Sequence, residues 1–150
     1  MHIHLCTTIG APVDRVWATV EDIATHTRWM ADAESIEFIG EQRRGVGTEF
    51  DCRTRVGPFT TVDRMRVTEW EPGAAMGIEH RGVVTGTGRF TLRAVGSGLT
   101  EFCWTEELVF PATMGGALGA RAGRPVLERV WRANLRRLRD LAETRAATGT

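Results

Sequence analysis

The chain has 150 residues, which is enough for one domain with its own hydrophobic core and short for two. Its 19 acidic residues balance its 19 basic residues, so it lacks the basic excess expected of a nucleic-acid-binding protein. All the basic residues are arginine and there is no tyrosine, which excludes a mechanism based on a Schiff-base lysine or a tyrosine acid.

The N-terminal part is predicted to form one strand followed by two short helices. Residues 2–9 carry apolar and β-branched side chains without a helical period, which predicts a strand. Pro12 suits the first turn of a helix, and apolar residues recur at helical spacing over residues 13–20. Asp22 is placed to cap a second short helix that reaches about Met30.

The middle of the chain is predicted to be a series of antiparallel strands. Segments rich in Val, Thr, Phe and Ile alternate with glycine-containing turns, and these turns are close enough together to make hairpins. The six predicted strands cover about residues 34–39, 48–56, 59–70, 75–81, 86–95 and 99–110. The alternation within the strand at 59–70 is ambiguous, which indicates a bulge.

The C-terminal part is predicted to contain one long amphipathic helix that begins at Pro125. The apolar face of this helix consists of Leu127, Val130, Trp131, Leu135, Leu138, Leu141 and Ala142. A seven-stranded sheet with one apolar face needs a cover, and this helix is the long one that the sequence offers. A twisted sheet curves around such a helix, and a cavity remains where the helix does not fill the concave side.

Several stretches of the sequence carry a resemblance to a known family. They are IGAPVDRVW at residues 9–17, GVGT at 45–48, VTEWEP at 67–72 and GLTE at 98–101, together with Asp22, Trp29, Trp104, Asn134, Leu135 and Leu138. With the order of the elements, they make the chain similar to the polyketide cyclase/dehydrase and lipid-transport branch of the START-like (SRPBCC) superfamily.

The resemblance implies an α+β helix-grip domain over residues 1–150. In that fold a curved, seven-stranded antiparallel sheet wraps around a long C-terminal helix, and two short helices follow the first strand. Members of the superfamily include carriers of lipids, quinones and sterols, cyclases and aromatases of polyketides, and co-chaperone-like proteins. The resemblance therefore implies the fold and leaves the activity open.

Strand alternation and the apolar face of the final helix define the side chains that we expect to face the cavity. The predicted ligand-binding residues are Phe50, Cys52, Met76, Ile78, His80, Phe90, Trp104, Glu106, Leu127, Trp131 and Asn134. Among the tryptophans, Trp104 and Trp131 are the best placed to contact a planar ligand.

Three of these polar residues each allow two interpretations. Glu106 binds a ligand hydroxyl or acts as an acid/base, or it lies at the sheet rim beside an arginine. Asn134 orients a ligand from the middle of the helix face, or it makes a structural hydrogen bond. His80 is a cavity base or proton shuttle, or an ordinary hydrogen-bonded strand residue. His26 is expected at the surface or at the pocket mouth.

Cys6, Cys52 and Cys103 are isolated in the sequence and show no CxxC spacing. This pattern predicts buried free thiols in a reducing compartment rather than a disulfide or a zinc site. His2 and His4 share a strand face, but no third ligand follows at motif spacing. Neither a metal nor any other cofactor is therefore predicted.

The N-terminus lacks a secretory pattern, and no run of about 18 apolar residues occurs. These features predict a cytoplasmic location without stable membrane insertion. The expected partner is a small hydrophobic molecule, such as a lipid, a polyketide or an isoprenoid-like compound, and not a nucleic acid. The chain itself is expected to be a monomer or a homodimer.

The leading functional hypothesis is a noncatalytic carrier or sensor that holds this molecule between the sheet and the helix. It rests on the fold and on the lack of an evident nucleophile–base pair. The alternative is a cyclase/aromatase-type enzyme that folds a poly-β-keto chain and uses Glu106 and His80 as catalytic residues. A second alternative is a co-chaperone-like interaction domain, which requires an exposed apolar patch and a filled interior.

Overall fold

Seven antiparallel strands form one sheet in the computed structural model, which describes residues 1–149. The strands are β1 (His2–Ile9), β2 (Ala33–Ile39), β3 (Glu49–Val56), β4 (Phe59–Glu71), β5 (Ala75–Arg81), β6 (Thr85–Gly96) and β7 (Leu99–Val109). Their order across the sheet is β1-β7-β6-β5-β4-β3-β2. From β2 to β7, each strand therefore forms a hairpin with the next one in the chain, and β1 pairs with β7 at the other edge. The seven predicted strands are confirmed. They were predictable from the sequence because glycine-containing turns mark the ends of most of them.

Two α-helices and two short 3₁₀ segments complete residues 1–149. They are α1 (Val13–Val20), a 3₁₀ helix (Ile23–Arg28), a 3₁₀ turn (Ala112–Met114) and α2 (Gly116–Thr148). The second short helix that the sequence predicted is thus a 3₁₀ helix, and the Asp22 side chain makes no capping hydrogen bond. Within residues 1–149, neither α1 nor α2 is long and apolar enough to cross a membrane.

The sheet curves around α2, which packs against β1, β7 and α1. The side chains that α2 buries include Trp131, Leu135, Leu138 and Ala142, all on the predicted apolar face. Burial of this stripe against the concave side of the sheet gives the hydrophobic core that both elements need. The arrangement is the α+β helix-grip fold that the sequence predicted.

The prediction that the last helix begins at Pro125 was wrong, because α2 begins at Gly116 and includes the proline. Gly115 precedes the helix in the left-handed conformation, with a φ of 86°, which glycine adopts without strain. Pro125 has no N–H to donate to the carbonyl of Arg121. Both residues are exposed, so water can replace the missing bond and the helix continues through the proline.

β4 contains the bulge that its ambiguous alternation indicated. The register between β4 and β5 shifts between Val67 and Glu69. Before the shift Asp63 and Val67 are buried, whereas after it the ring of Trp70 packs edge-on against Trp17 at 5.4 Å. Since a bulge adds one residue, it moves the inward-facing side chains from odd to even positions.

Aromatic rings around Trp29 fill the centre of the core. Trp29 is fully buried, and its ring lies 5.7 Å from that of Phe90, 6.5 Å from Phe102 and 6.0 Å from Trp104. These edge-to-face and tilted arrangements are the favourable ones for aromatic pairs. The cluster ties the segment after the 3₁₀ helix to β6 and β7.

The prediction of three free thiols was wrong for two of the cysteines. The antiparallel register of β1 and β7 places Cys6 directly opposite Cys103, and the two form a disulfide. Cys52 is free and buried, as predicted. The two cysteines are 97 residues apart in the sequence, so their proximity is evident only once the pairing of β1 with β7 is known. Because two of the three cysteines form a disulfide, the cysteines no longer support the prediction of a reducing compartment.

Candidate ligand-binding cavity

A cavity of about 770 Å³ lies between the inner face of the sheet and the N-terminal half of α2. Its walls come from β2 to β7, from the 3₁₀ helix and from residues 119–131 of α2. Exposed lining residues, among them Pro58, Phe59, Thr113 and Val126, mark its mouth. The volume is within the range of about 300–1,000 Å³ that is typical of small-molecule sites.

All the predicted ligand-binding residues except Asn134 line this cavity. They are Phe50, Cys52, Met76, Ile78, His80, Phe90, Trp104, Glu106, Leu127 and Trp131. Sequence reasoning missed other apolar lining residues, which include Ile23, Met30, Ile36, Met65 and Val84. Met65 was missed because the bulge in β4 obscures the phase of that strand.

His80 and Glu106 meet inside the cavity although they lie on strands that are not neighbours. The Nε2 of His80 is 2.9 Å from the Oε2 of Glu106, and the indole N–H of Trp104 donates to Oε1 at 2.8 Å. The side chains of His80 and Glu106 are only 11% and 5% exposed. The pair fits the requirement that a buried carboxylate has hydrogen-bond donors around it.

Gly88 of β6, the strand between them, makes this meeting possible. It pairs with Ile78 of β5 on one side and with Glu106 of β7 on the other. A Cβ atom at position 88 would lie 2.5 Å from the Oε1 of Glu106. Because glycine leaves that space empty, the carboxylate can reach across β6 to the imidazole of His80.

The hydrogen bond to Glu106 also sets the tautomer of His80. When Glu106 is ionised, its carboxylate can only accept hydrogen bonds, and Nε2 of His80 then carries the proton. Within residues 1–149, no protein group forms a hydrogen bond to Nδ1 of His80. A neutral imidazole held in this way offers Nδ1 as a hydrogen-bond acceptor or a base.

An aromatic wall lies next to this pair. The rings of Trp104 on β7 and Trp131 on α2 stack with centroids 5.1 Å apart and an angle of 26° between their planes. Both are buried and both line the cavity, and their contact with a ligand stays a prediction. Flat apolar surfaces of this kind suit contact with planar ligands.

Asn134 lies outside the cavity and ties α2 to the segment before β2. Its Nδ2 donates to the Oδ1 of Asp32 at 2.7 Å, and its Oδ1 accepts the N–H of Ala31 at 3.0 Å. Asp32 also accepts the indole N–H of Trp131 at 3.3 Å. Of the two interpretations of Asn134, the structure supports the structural hydrogen bond, because its amide already has protein partners.

Asp63 is a second buried carboxylate on the cavity wall, and sequence reasoning missed it. Its Oδ1 accepts the N–H of Val83 at 2.7 Å, and its Oδ2 accepts the hydroxyl of Thr61 at 2.9 Å. These bonds hold the turn between β5 and β6 against β4. Asp63 therefore has a structural role in the rim of the cavity.

His26 and Cys52 contribute uncharged polar atoms to the walls. His26 is buried rather than at the surface, and it donates its Nε2–H to the carbonyl of Val20 at 2.7 Å. Burial lowers the pKa of His26 to about 4, so the ring is neutral near pH 7. Burial raises the pKa of the Cys52 thiol to about 11, which makes it a poor nucleophile.

The comparisons with known proteins agree with the fold. Over residues 2–143 the sequence matches the family described as polyketide cyclase/dehydrase and lipid transport. No curated protein sequence shows significant similarity to the chain.

Solved structures with a similar fold include two aromatase/cyclases. The Zhui aromatase/cyclase from Streptomyces sp. R1128 is 19% identical, with 97% of this chain and 94% of that chain covered and a TM-score of 0.79. The di-domain ARO/CYC StfQ of the steffimycin biosynthetic pathway is 18% identical, with 94% and 44% covered and a TM-score of 0.69. TTHA0849 from Thermus thermophilus is 17% identical, with 100% and 99% covered and a TM-score of 0.72. At these identities the likeness shows a common fold.

Proposed function

Because the chain belongs to the polyketide cyclase/dehydrase and lipid-transport family, we propose that it binds one small, mostly apolar molecule in its cavity. The observation that carries this proposal is a cavity of about 770 Å³ whose walls are mainly apolar and aromatic. Such a space is filled most favourably by an apolar ligand, since water inside it finds few hydrogen-bond partners. The cavity also argues against the co-chaperone-like alternative, which requires a filled interior.

The polar groups of the cavity narrow the class of ligand. Nδ1 of His80 can accept a hydrogen bond from a hydroxyl or an enol, and Glu106 holds the imidazole in place. The stacked rings of Trp104 and Trp131 offer a flat apolar surface in the same cavity. A lipid, polyketide or isoprenoid-like molecule with an apolar body and one hydroxyl group satisfies both features.

A pair of variants on one strand tests whether binding takes place in the cavity. Met65 lines it, whereas Val62 on the same strand is exposed and outside it. We expect Met65→Trp to fill part of the space and weaken binding of the fluorescent apolar probe N-phenyl-1-naphthylamine, while Val62→Trp leaves it unchanged. Mass spectrometry of organic extracts from the purified protein then identifies the natural ligand. Equal probe binding by both variants would contradict the proposal.

A second candidate function is cyclisation of a poly-β-keto chain, which the His80–Glu106 pair inside the cavity favours. Nδ1 of His80 takes a proton from a methylene between two carbonyls, and Glu106 stabilises the imidazolium. The enolate carbon forms a bond to a second carbonyl carbon of the same chain. The C=O π bond of that carbonyl breaks, and its oxygen receives the proton back from His80.

Conservative variants of the pair separate catalysis from binding. His80→Asn and Glu106→Gln introduce uncharged amide side chains, which remove the base and its carboxylate partner. We expect both to lose ring formation from a poly-β-keto thioester, followed by liquid chromatography and mass spectrometry, while probe binding persists. Glu79→Gln on the same strand is the control, because Glu79 is paired with Arg81 outside the cavity. Unchanged turnover in His80→Asn would contradict the catalytic role, and only the proposed binding function would remain.

A further inference from the structure

Two cysteines and a histidine lie together on the outer face of the sheet, opposite the cavity. His4 and Cys6 are two residues apart on β1, so their side chains share a face, and Cys6 is directly opposite Cys103 of β7. The neighbouring pair, Leu5 and Trp104, lies on the other face of the sheet, because Trp104 lines the cavity. The pairing of β1 with β7 thus assembles a group that no sequence spacing reveals.

The potential ligand atoms of this group are close together. Nε2 of His4 is 3.3 Å from the Sγ of Cys6, and the ligand atoms of His4, Cys6 and Cys103 all lie within 4.8 Å of one another. Tetrahedral zinc with Zn–S bonds of about 2.3 Å and Zn–N bonds of about 2.0 Å holds its ligand atoms roughly 3.5–3.8 Å apart. Small side-chain rotations are therefore enough to place three ligands around one cation.

Thr105 orients the imidazole. Nδ1 of His4 is 2.7 Å from the hydroxyl oxygen of Thr105, its partner across the strands. A histidine that ligates a metal through one nitrogen usually has its other nitrogen in a hydrogen bond of this kind. The bond directs Nε2 of His4 towards the sulfur atoms. His4 and Cys6 are exposed, so a cation can reach them and a fourth position stays open to solvent.

We propose that His4, Cys6 and Cys103 form a binding site for one thiophilic divalent cation of the zinc type when the cysteines are reduced. Two thiolates and an imidazole suit zinc, and they do not suit magnesium or calcium. The disulfide seen here and the cation-bound site exclude each other, because the same sulfur atoms serve both.

The exchange between the two forms is a two-electron step. A dithiol reductant breaks the S–S bond, is itself oxidised to a disulfide and leaves two protein thiols. Binding of the cation then releases their two protons. In reverse, hydrogen peroxide joins the two sulfurs and is reduced to water, and the cation leaves.

Cobalt(II) tests the site in the full chain, because it replaces zinc and its thiolate complexes are coloured. We expect the dithiol-reduced protein to bind one Co²⁺ per chain, with sulfur-to-cobalt charge-transfer absorption that zinc abolishes, and the oxidised protein to bind none. Absence of this absorption in the reduced protein, or the same absorption in a Cys6→Ser/Cys103→Ser variant, would overturn the proposal.

Matched variants assign the ligands. We expect Thr105→Val to weaken cobalt binding roughly 10–100-fold, as for loss of an outer partner of a metal ligand, and His4→Gln to weaken it further. His2→Gln is the control on the same face, since His2 is paired with Glu107 instead. Cys52→Ser should keep the full signal, because Cys52 lies in the cavity. Equal affinities of the His4→Gln and His2→Gln variants would exclude His4 as a ligand, and circular dichroism of each variant verifies its fold.

Discussion

The imidazole of His26 couples the stability of the protein to pH. Burial lowers its pKa to about 4, whereas in the unfolded chain it titrates near its ordinary value of 6.5. Between these values the unfolded chain binds a proton that the folded protein does not bind, so stability falls as the pH falls. From pH 7 to pH 5 we expect this residue to lower the free energy of unfolding by roughly 2 kcal/mol.

Urea titrations at the two pH values measure this effect. A His26→Gln variant keeps a side-chain N–H for the carbonyl of Val20 but cannot titrate, so its stability should depend less on pH. Val62→Ala, which changes an exposed residue that does not titrate, should keep the slope of the unaltered protein. The same slope in His26→Gln as in the unaltered protein would show that another group is responsible.

Among the elements, α2 depends on the hydrogen bonds that Asn134 makes to the segment before β2. Replacing Asn134 by alanine leaves the N–H of Ala31 and the carboxylate of Asp32 without this partner. We expect Asn134→Ala to lower the free energy of unfolding by about 1–3 kcal/mol, measured by chemical denaturation. Arg136→Ala, on the exposed side of α2, should have little effect. Well below the unfolding temperature, apolar probe binding should persist in Asn134→Ala, whereas its complete loss would indicate ligand contact.

The position of Pro125 within α2 leads to a second prediction for this element. Alanine at this position restores the N–H that the carbonyl of Arg121 lacks, so Pro125→Ala should stabilise the protein, by up to about 3 kcal/mol. Thermal unfolding followed by circular dichroism measures the change. Were Pro125 the first residue of the helix instead, the substitution would bring no gain, because proline is well suited to that position.

The elements differ in how much of them the sequence could predict. Strands were predictable because turns such as Gly57-Pro58 and Gly96-Ser97-Gly98 end them, and α1 because its apolar residues recur at helical spacing. The start of α2 was not predictable, since proline is common at a helix start and the exposure that lets the helix continue through Pro125 is not visible in the sequence. The phase of β4 before its bulge was equally hidden, and with it the inward direction of Asp63 and Met65.

For the whole molecule, the disulfide between Cys6 and Cys103 joins strands from opposite ends of the chain. It closes a loop with a sequence separation of 97 residues. In the chain-entropy model, a closed loop of this length stabilises the folded state by roughly 4–5 kcal/mol at most. We expect a dithiol reductant to lower the urea midpoint of unfolding. The Cys6→Ser/Cys103→Ser variant should be insensitive to the reductant, and an unchanged midpoint in the unaltered protein would contradict the prediction.

In the candidate site, the sequence predicted individual residues but not the contacts between them. Alternation along single strands was enough to select His80 and Glu106, because each lies on an apolar strand face. Their contact was not predictable, since it depends on strand order and on a glycine in β6, the strand between them. The disulfide pair and its neighbour His4 depend in the same way on the pairing of β1 with β7. Contacts between distant strands need the register, which no local pattern contains.

Gly88 gives this cavity an unusual sensitivity to the smallest change in the chain. The carboxylate of Glu106 is fixed by Trp104 on one oxygen and by His80 on the other, so it has little freedom to move aside. One methyl group at position 88 would push it away from the imidazole and leave both residues in place but apart. A single mutational step on β6 would thus separate the His80–Glu106 pair, and related chains could diverge in chemistry without altering any ionisable residue.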